Sequence, residues 1–149
     1  MNRKIVAFVV AAVTFASVHP AEAQQTKKVP RIGFLSGRAT PTPTNPDPSA
    51  DAFQQGLRDL GYIEGKNIVV EYRYVEGKSE HYPTFVAELV QLKVDVLVFG
   101  PLPVIRAAKE ATKAIPIVMV TAVDPVAAGL VDSLAHPGGN ITGLTSLTR

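Results

Sequence analysis

From Arg31 onward, short apolar runs of strand length alternate with helical stripes of about ten residues, and few folds accommodate that alternation. Arg31-Ile-Gly-Phe-Leu-Ser36 suits a central strand buried on both faces. Ile68, Val70, Tyr72 and Tyr74 alternate with Val69, Glu71 and Arg73, a period of two with one wetter face that reads as an edge strand. Further strands are predicted over residues 94–99, 115–120 and 140–144. Phe53, Gly56, Leu57 and Leu60 share one helical face, with Gln54, Gln55, Arg58 and Asp59 outside; Asp47 or Ser49 caps this helix and Gly61 ends it. Tyr82, Phe85, Val86, Leu89 and Val90 give a second stripe with Ser79 as cap, and residues 103–114 a third helix with Pro103 in its first turn. Strands and helices in this order form right-handed βαβ units. The predicted fold is α/β: a doubly wound, mostly parallel sheet in a Rossmann-like three-layer sandwich. Residues 37–49, carrying Pro41, Pro43, Pro46 and Pro48, form an extended surface loop.

The first 23 residues read as a signal peptide. Arg3 and Lys4 precede an uncharged, mostly apolar run over residues 5–18, and Ala21-Glu22-Ala23 offers small residues where a signal peptidase reads. Residues 24–30 are a polar lead-in. Without Arg3, Lys4 and Glu22 the mature chain carries thirteen basic and twelve acidic side chains, a net charge of +1. Nothing in that balance builds a basic stripe for a nucleic-acid backbone. The chain has no cysteine, which excludes a lipid-modified N-terminus and leaves the core alone to hold an exported domain. The sequence therefore predicts a soluble exported protein without membrane insertion after signal cleavage.

Few residues carry recognisable chemistry. Glu76-Gly77-Lys78-Ser79 has the ending of a phosphate loop, but Tyr72 stands where that motif needs glycine, so a solvated turn is the better reading. Ser36-Gly37-Arg38 lacks the glycine signature of a dinucleotide turn, yet lies at a strand's carboxyl end, where open α/β sheets bind ligands. His81 and His136 have no metal-ligand spacing, and no serine sits in a nucleophile elbow. Asp124 is the acid at a strand's carboxyl end; Asp-Pro opens turns, so its side chain reads as an Asx-turn former in a loop facing the ligand. Tyr62, Tyr72, Tyr74 and Tyr82 are read as core and edge packing rather than an aromatic box.

Taken together, several segments carry a resemblance. These are Phe-Gln-Gln-Gly-Leu-Arg-Asp-Leu-Gly-Tyr-Ile-Glu-Gly-Lys-Asn, Leu-Val-Gln-Leu-Lys-Val-Asp-Val-Leu-Val, Asp-Pro-Val-Ala-Ala-Gly-Leu-Val and Pro-Gly-Gly-Asn-Ile-Thr-Gly. The chain resembles the substrate-binding proteins of ABC transporters, in the family that includes tryptophan and tyrosine binders. The resemblance implies one lobe of a type I periplasmic-binding fold over residues 31–145, the start of a hinge at residues 146–149, and no second lobe. It implies a periplasmic, non-enzymatic protein that takes a small-molecule ligand between two lobes, delivers it to an ABC permease in the inner membrane, and needs no cofactor. Ligand-facing loops are implied at Ser36 and Gly37, at Gly100, Pro101 and Leu102, and at Thr121, Ala122 and Asp124. Leu102 stands where such proteins usually carry a small polar residue, which removes a cap hydroxyl from the third helix. The alternative is a Rossmann-like enzyme, a reductase or hydrolase, without a recognisable catalytic motif.

Overall fold

The computed structural model describes residues 28–146. The expected signal segment, residues 24–27 of the lead-in and residues 147–149 of the expected hinge lie outside the described residues. Five strands, β1 (Arg31–Ser36), β2 (Val69–Tyr74), β3 (Val96–Phe99), β4 (Ile117–Thr121) and β5 (Ile141–Thr145), form one parallel sheet in the order β2-β1-β3-β4-β5. Three helices, α1 (Pro48–Asp59), α2 (Tyr82–Gln91) and α3 (Leu102–Ala111), lie on its faces. The doubly wound parallel sheet matches the expectation, and β2 is an edge strand as its alternation implied.

The two faces are unequally covered. On one, Leu35, Leu97, Phe99, Ile117 and Met119 pack with Tyr82, Val86 and Leu89 of α2 and with Val104, Ile105 and Ala108 of α3. Leu130 and Val131, from the β4–β5 connection, join this larger core. Gly33 lets α2 approach closely: a Cβ there would stand 2.9 Å from a Leu97 methyl and 3.1 Å from one of Leu89. On the other face Phe34, Val70 and Val98 meet only α1, through Ala50, Phe53 and Leu57. Phe34 stacks on Phe53 at 5.1 Å and Tyr72 on Tyr74 at 6.2 Å, so these tyrosines serve edge packing, as predicted.

Several element boundaries differ from the sequence reading for local reasons. Asp47 caps α1, accepting a hydrogen bond from the Ser49 N–H, so Ser49 is not the cap. Ser79 opens a short 3-10 turn (Ser79–His81) and makes no capping bond to α2. Leu60 and Gly56, assigned to the inner face of α1, do not reach the sheet: Leu60 is 76% exposed and a Cβ at Gly56 would meet open space. The third helix starts at Leu102, one residue before the predicted start, and stops at Ala111. Thr112 turns extended there, and its hydroxyl accepts from the Ala114 and Ile115 N–H groups, which ends the helix. Asp95, placed in β3 by its apolar neighbours, instead clamps the lead-in, accepting from Lys28 and from the Arg31 N–H at 2.8 Å. The Lys28 ammonium, then the Arg31 N–H, hold its carboxyl below the usual carboxylate range.

Candidate functional site

In a parallel sheet every strand's carboxyl end opens on the same side, so the three implied loops must gather there. The strand order reverses direction at β1, which makes the gap between the β1 and β3 loops the topological switch point, where such sheets take ligands. The structure brings those two loops together. The point a Cβ of residue 37 would occupy lies 3.7 Å from Pro101 Cγ. Gly100 continues the row towards β4, its own Cβ position standing 3.4 Å from the Val120 carbonyl.

The side chains expected to face a ligand are mostly committed within the chain. Ser36 is buried; its hydroxyl donates to Asp47 Oδ2 at 2.6 Å and accepts from the Arg38 N–H at 3.2 Å. Thr121 Oγ1 accepts from the Val123 N–H at 3.3 Å. Asp124 is exposed, and its Oδ1 accepts from the Val126 and Ala127 N–H groups at 2.9 and 3.1 Å, an Asx-turn of the kind its sequence context favoured. Ala122 is exposed beside it. Pro101 is the N-cap of α3 and offers no side-chain cap; its carbonyl accepts from the Val104 and Ile105 N–H groups. Leu102 is therefore the first residue of the helix and not its cap.

Asp47 is the residue that sequence reasoning undervalued. It is 1% exposed, yet bridges β1 to α1: one oxygen takes the Ser36 hydroxyl, the other the Ser49 N–H at 3.0 Å. The Arg38 guanidinium stands 3.7 Å from that second oxygen and is largely exposed at the rim. A single carboxylate thus closes the proline-rich loop onto the strand end. The signal was Asp-Pro-Ser at a helix start, which names a cap but not its second partner. Asp47→Ala leaves the Ser36 hydroxyl and a helix N–H unsatisfied together. It should cost about 2–3 kcal/mol in urea unfolding and speed amide exchange across residues 37–46, with Asp47→Asn losing less.

Among the described residues no group of three or more His, Cys, Asp or Glu side chains converges as a metal site, and no helix is long and apolar enough to cross a membrane. Comparison with known proteins shows what the chain is similar to. The model of a family described as ABC transporter substrate binding protein matches residues 46–149. The chain belongs to that family. A tyrosine-binding protein of Clostridioides difficile (strain R20291) is 37% identical over 97 residues, 65% of this chain and 28% of that protein. Among solved structures, a conserved domain protein of Vibrio cholerae superposes with a TM-score of 0.69 at 34% identity, covering 82% of this chain and 40% of that one. An ABC domain from Streptococcus pneumonia in complex with L-Trp gives 0.64 at 28% identity, covering 78% and 38%. The ligand-free, open structure of a substrate binding protein with adhesive properties from Clostridium difficile gives 0.70 at 28%, covering 81% and 40%. The chain spans well under half the length of each of these relatives. Two of them are described as binding proteins, one for tyrosine and one for an unspecified substrate, and a third was solved with L-Trp bound.

Proposed function

We propose that the chain is the N-terminal lobe of an exported solute-binding component of an ABC transporter, with an amino acid as its ligand. In this reading residues 1–23 are a cleaved signal peptide, residues 31–145 are the lobe, and residues 146–149 begin the hinge to a facing lobe. The protein works in the periplasm, closes on its ligand by hinge motion and presents it to a permease in the inner membrane. It performs no chemistry and uses no cofactor.

The observation that carries the reading is the family match over residues 46–149, which contain both the β3 loop at Gly100, Pro101 and Leu102 and the β4 loop at Thr121, Ala122 and Asp124. The ligand class follows from relatives described as tyrosine-binding and as bound to L-Trp. With one face of the clamp, the chain holds only part of the contacts a closed receptor makes. Titration calorimetry with L-tryptophan and L-tyrosine should therefore give saturable but weak, millimolar binding. Micromolar affinity would mean that the lobe is a complete site and would sink the two-lobed reading; no saturable binding of either amino acid would sink the ligand class.

A further inference from the structure

The larger core ends, at the switch point, in one polar atom. Tyr82 opens α2 and is only 8% exposed, its ring packed among the core residues of that face. Its hydroxyl lies at the upper end of that core, 3.0 Å from the Cβ position of residue 37, the same point that lies 3.7 Å from Pro101 Cγ. Among the described residues this hydroxyl makes no hydrogen bond, and it is not sealed from solvent, since no fully buried side-chain oxygen or nitrogen is left unpaired. Glycine at position 37 keeps the space above it open, since any side chain would fill it.

Two further features converge on that space. Helix α3 begins beside it with no side-chain cap. Pro103 has no N–H, and the Val104 and Ile105 N–H groups turn back to the Pro101 carbonyl, so Leu102 carries the open backbone donor at that end. A ten-residue helix directs partial positive charge out of this terminus. The Arg38 guanidinium, largely exposed at the rim, stands 3.7 Å from the Asp47 carboxylate, which offsets its charge, so the helix terminus is the uncompensated positive end here.

The geometry points to Tyr82 as a ligand contact: its hydroxyl donates to a carboxylate of the bound molecule, seated above Gly37 against the N-terminus of α3. The inference rests on the receptor reading and deepens it, because it names the group on the ligand and the atom that receives it. A buried phenol fits the task. Its ring is fixed by the core, so little conformational freedom is lost when the hydroxyl engages a ligand. It supplies a side-chain donor where Leu102 supplies none.

The test is a nuclear magnetic resonance titration of the chain with L-tryptophan, read at the Gly37 and Leu102 amides. Two variants and one control ligand accompany it. Tyr82→Phe keeps the ring and the fold and removes only the hydroxyl. Gly37→Ala places a methyl group over it. L-Tryptophanamide lacks the carboxylate. The wild-type chain should show saturable shifts at both amides, and Tyr82→Phe should weaken L-tryptophan binding by about ten-fold, as expected for losing a hydrogen bond to a charged group. Gly37→Ala should weaken it at least as much, while L-tryptophanamide should bind poorly and alike to wild type and Tyr82→Phe. Equal L-tryptophan affinity in wild type and Tyr82→Phe overturns the contact and leaves the receptor reading standing. Equal loss for both ligands in Tyr82→Phe overturns the carboxylate assignment. Absence of any shift in the wild type removes L-tryptophan as a ligand of this lobe and the contact with it, a result distinct from the loss confined to Tyr82→Phe.

Discussion

Gly143→Ala should lower the melting temperature by about 10 °C or more, the signature of about 3 kcal/mol or more lost from a domain of this size. Gly143 sits in the middle of β5, opposite Met119 of β4. A Cβ there would stand 1.9 Å from the Met119 carbonyl oxygen and 2.7 Å from its nitrogen, atoms of a paired backbone that have nowhere to move. Its φ of +145° is also one that side-chain-bearing residues avoid. Relief requires β5 to leave the sheet, which uncovers Ile141 and the edge of β4. Gly56→Ala is the matched control. It makes the same chemical change in the interior of α1, where the Cβ meets open space, and should stabilise by about 0.5–1 kcal/mol. Differential scanning calorimetry separates the two signs. A wild-type melt from Gly143→Ala would show that β5 is not paired with β4 in solution.

Gly143 also illustrates what the sequence could and could not convey. The sequence patterns named all five strands and all three α-helices of the described residues, because a two-residue or 3.6-residue repeat survives in the chain whatever it packs against. How far each element runs is a tertiary matter. Alternation cannot say that Asp95 leaves β3 to hold Lys28 and the Arg31 N–H, or that α1 crosses the sheet only as far as Leu57 and leaves Leu60 in water. The candidate site divides in the same way. The positions of the Ser36 and Asp124 loops followed from the strand ends, whereas the loop at Gly100, Pro101 and Leu102 came from the family resemblance. The roles of Ser36 and Thr121 were not legible, since whether a hydroxyl faces a ligand depends on partners such as Asp47, eleven residues away. Tyr82 was read as core, which is right for its ring. The placement of its hydroxyl beneath Gly37 depends on how α2 docks against β1 and β3.

At micromolar concentration the chain should self-associate, and Val120→Lys with Leu144→Lys should return it towards monomer. The reason lies in the unequal faces of the sheet. The α1 face is covered over β1 and β2, but Val120 of β4 is 55% exposed and Leu144 of β5 is 72% exposed. They border an apolar groove of about 620 Å³ that also contacts Phe34, Phe53 and Val98. Contiguous apolar surface of this kind drives association. The two sheet edges sharpen the expectation. At the β2 edge, Glu71 pairs with Arg31, and Arg73 pairs with Glu88 at 2.9 Å, charges that deter a foreign strand. The β5 edge, Ile-Thr-Gly-Leu-Thr, carries none. In a protein as long as its solved relatives, of which this chain spans about two-fifths, further chain is available to cover both. Both lysines would enter already exposed positions, so the melting temperature should hardly move while the mass measured by light scattering falls. A sharp, cooperative melt from a strictly monomeric wild-type chain would show that this face is tolerated in water as it stands.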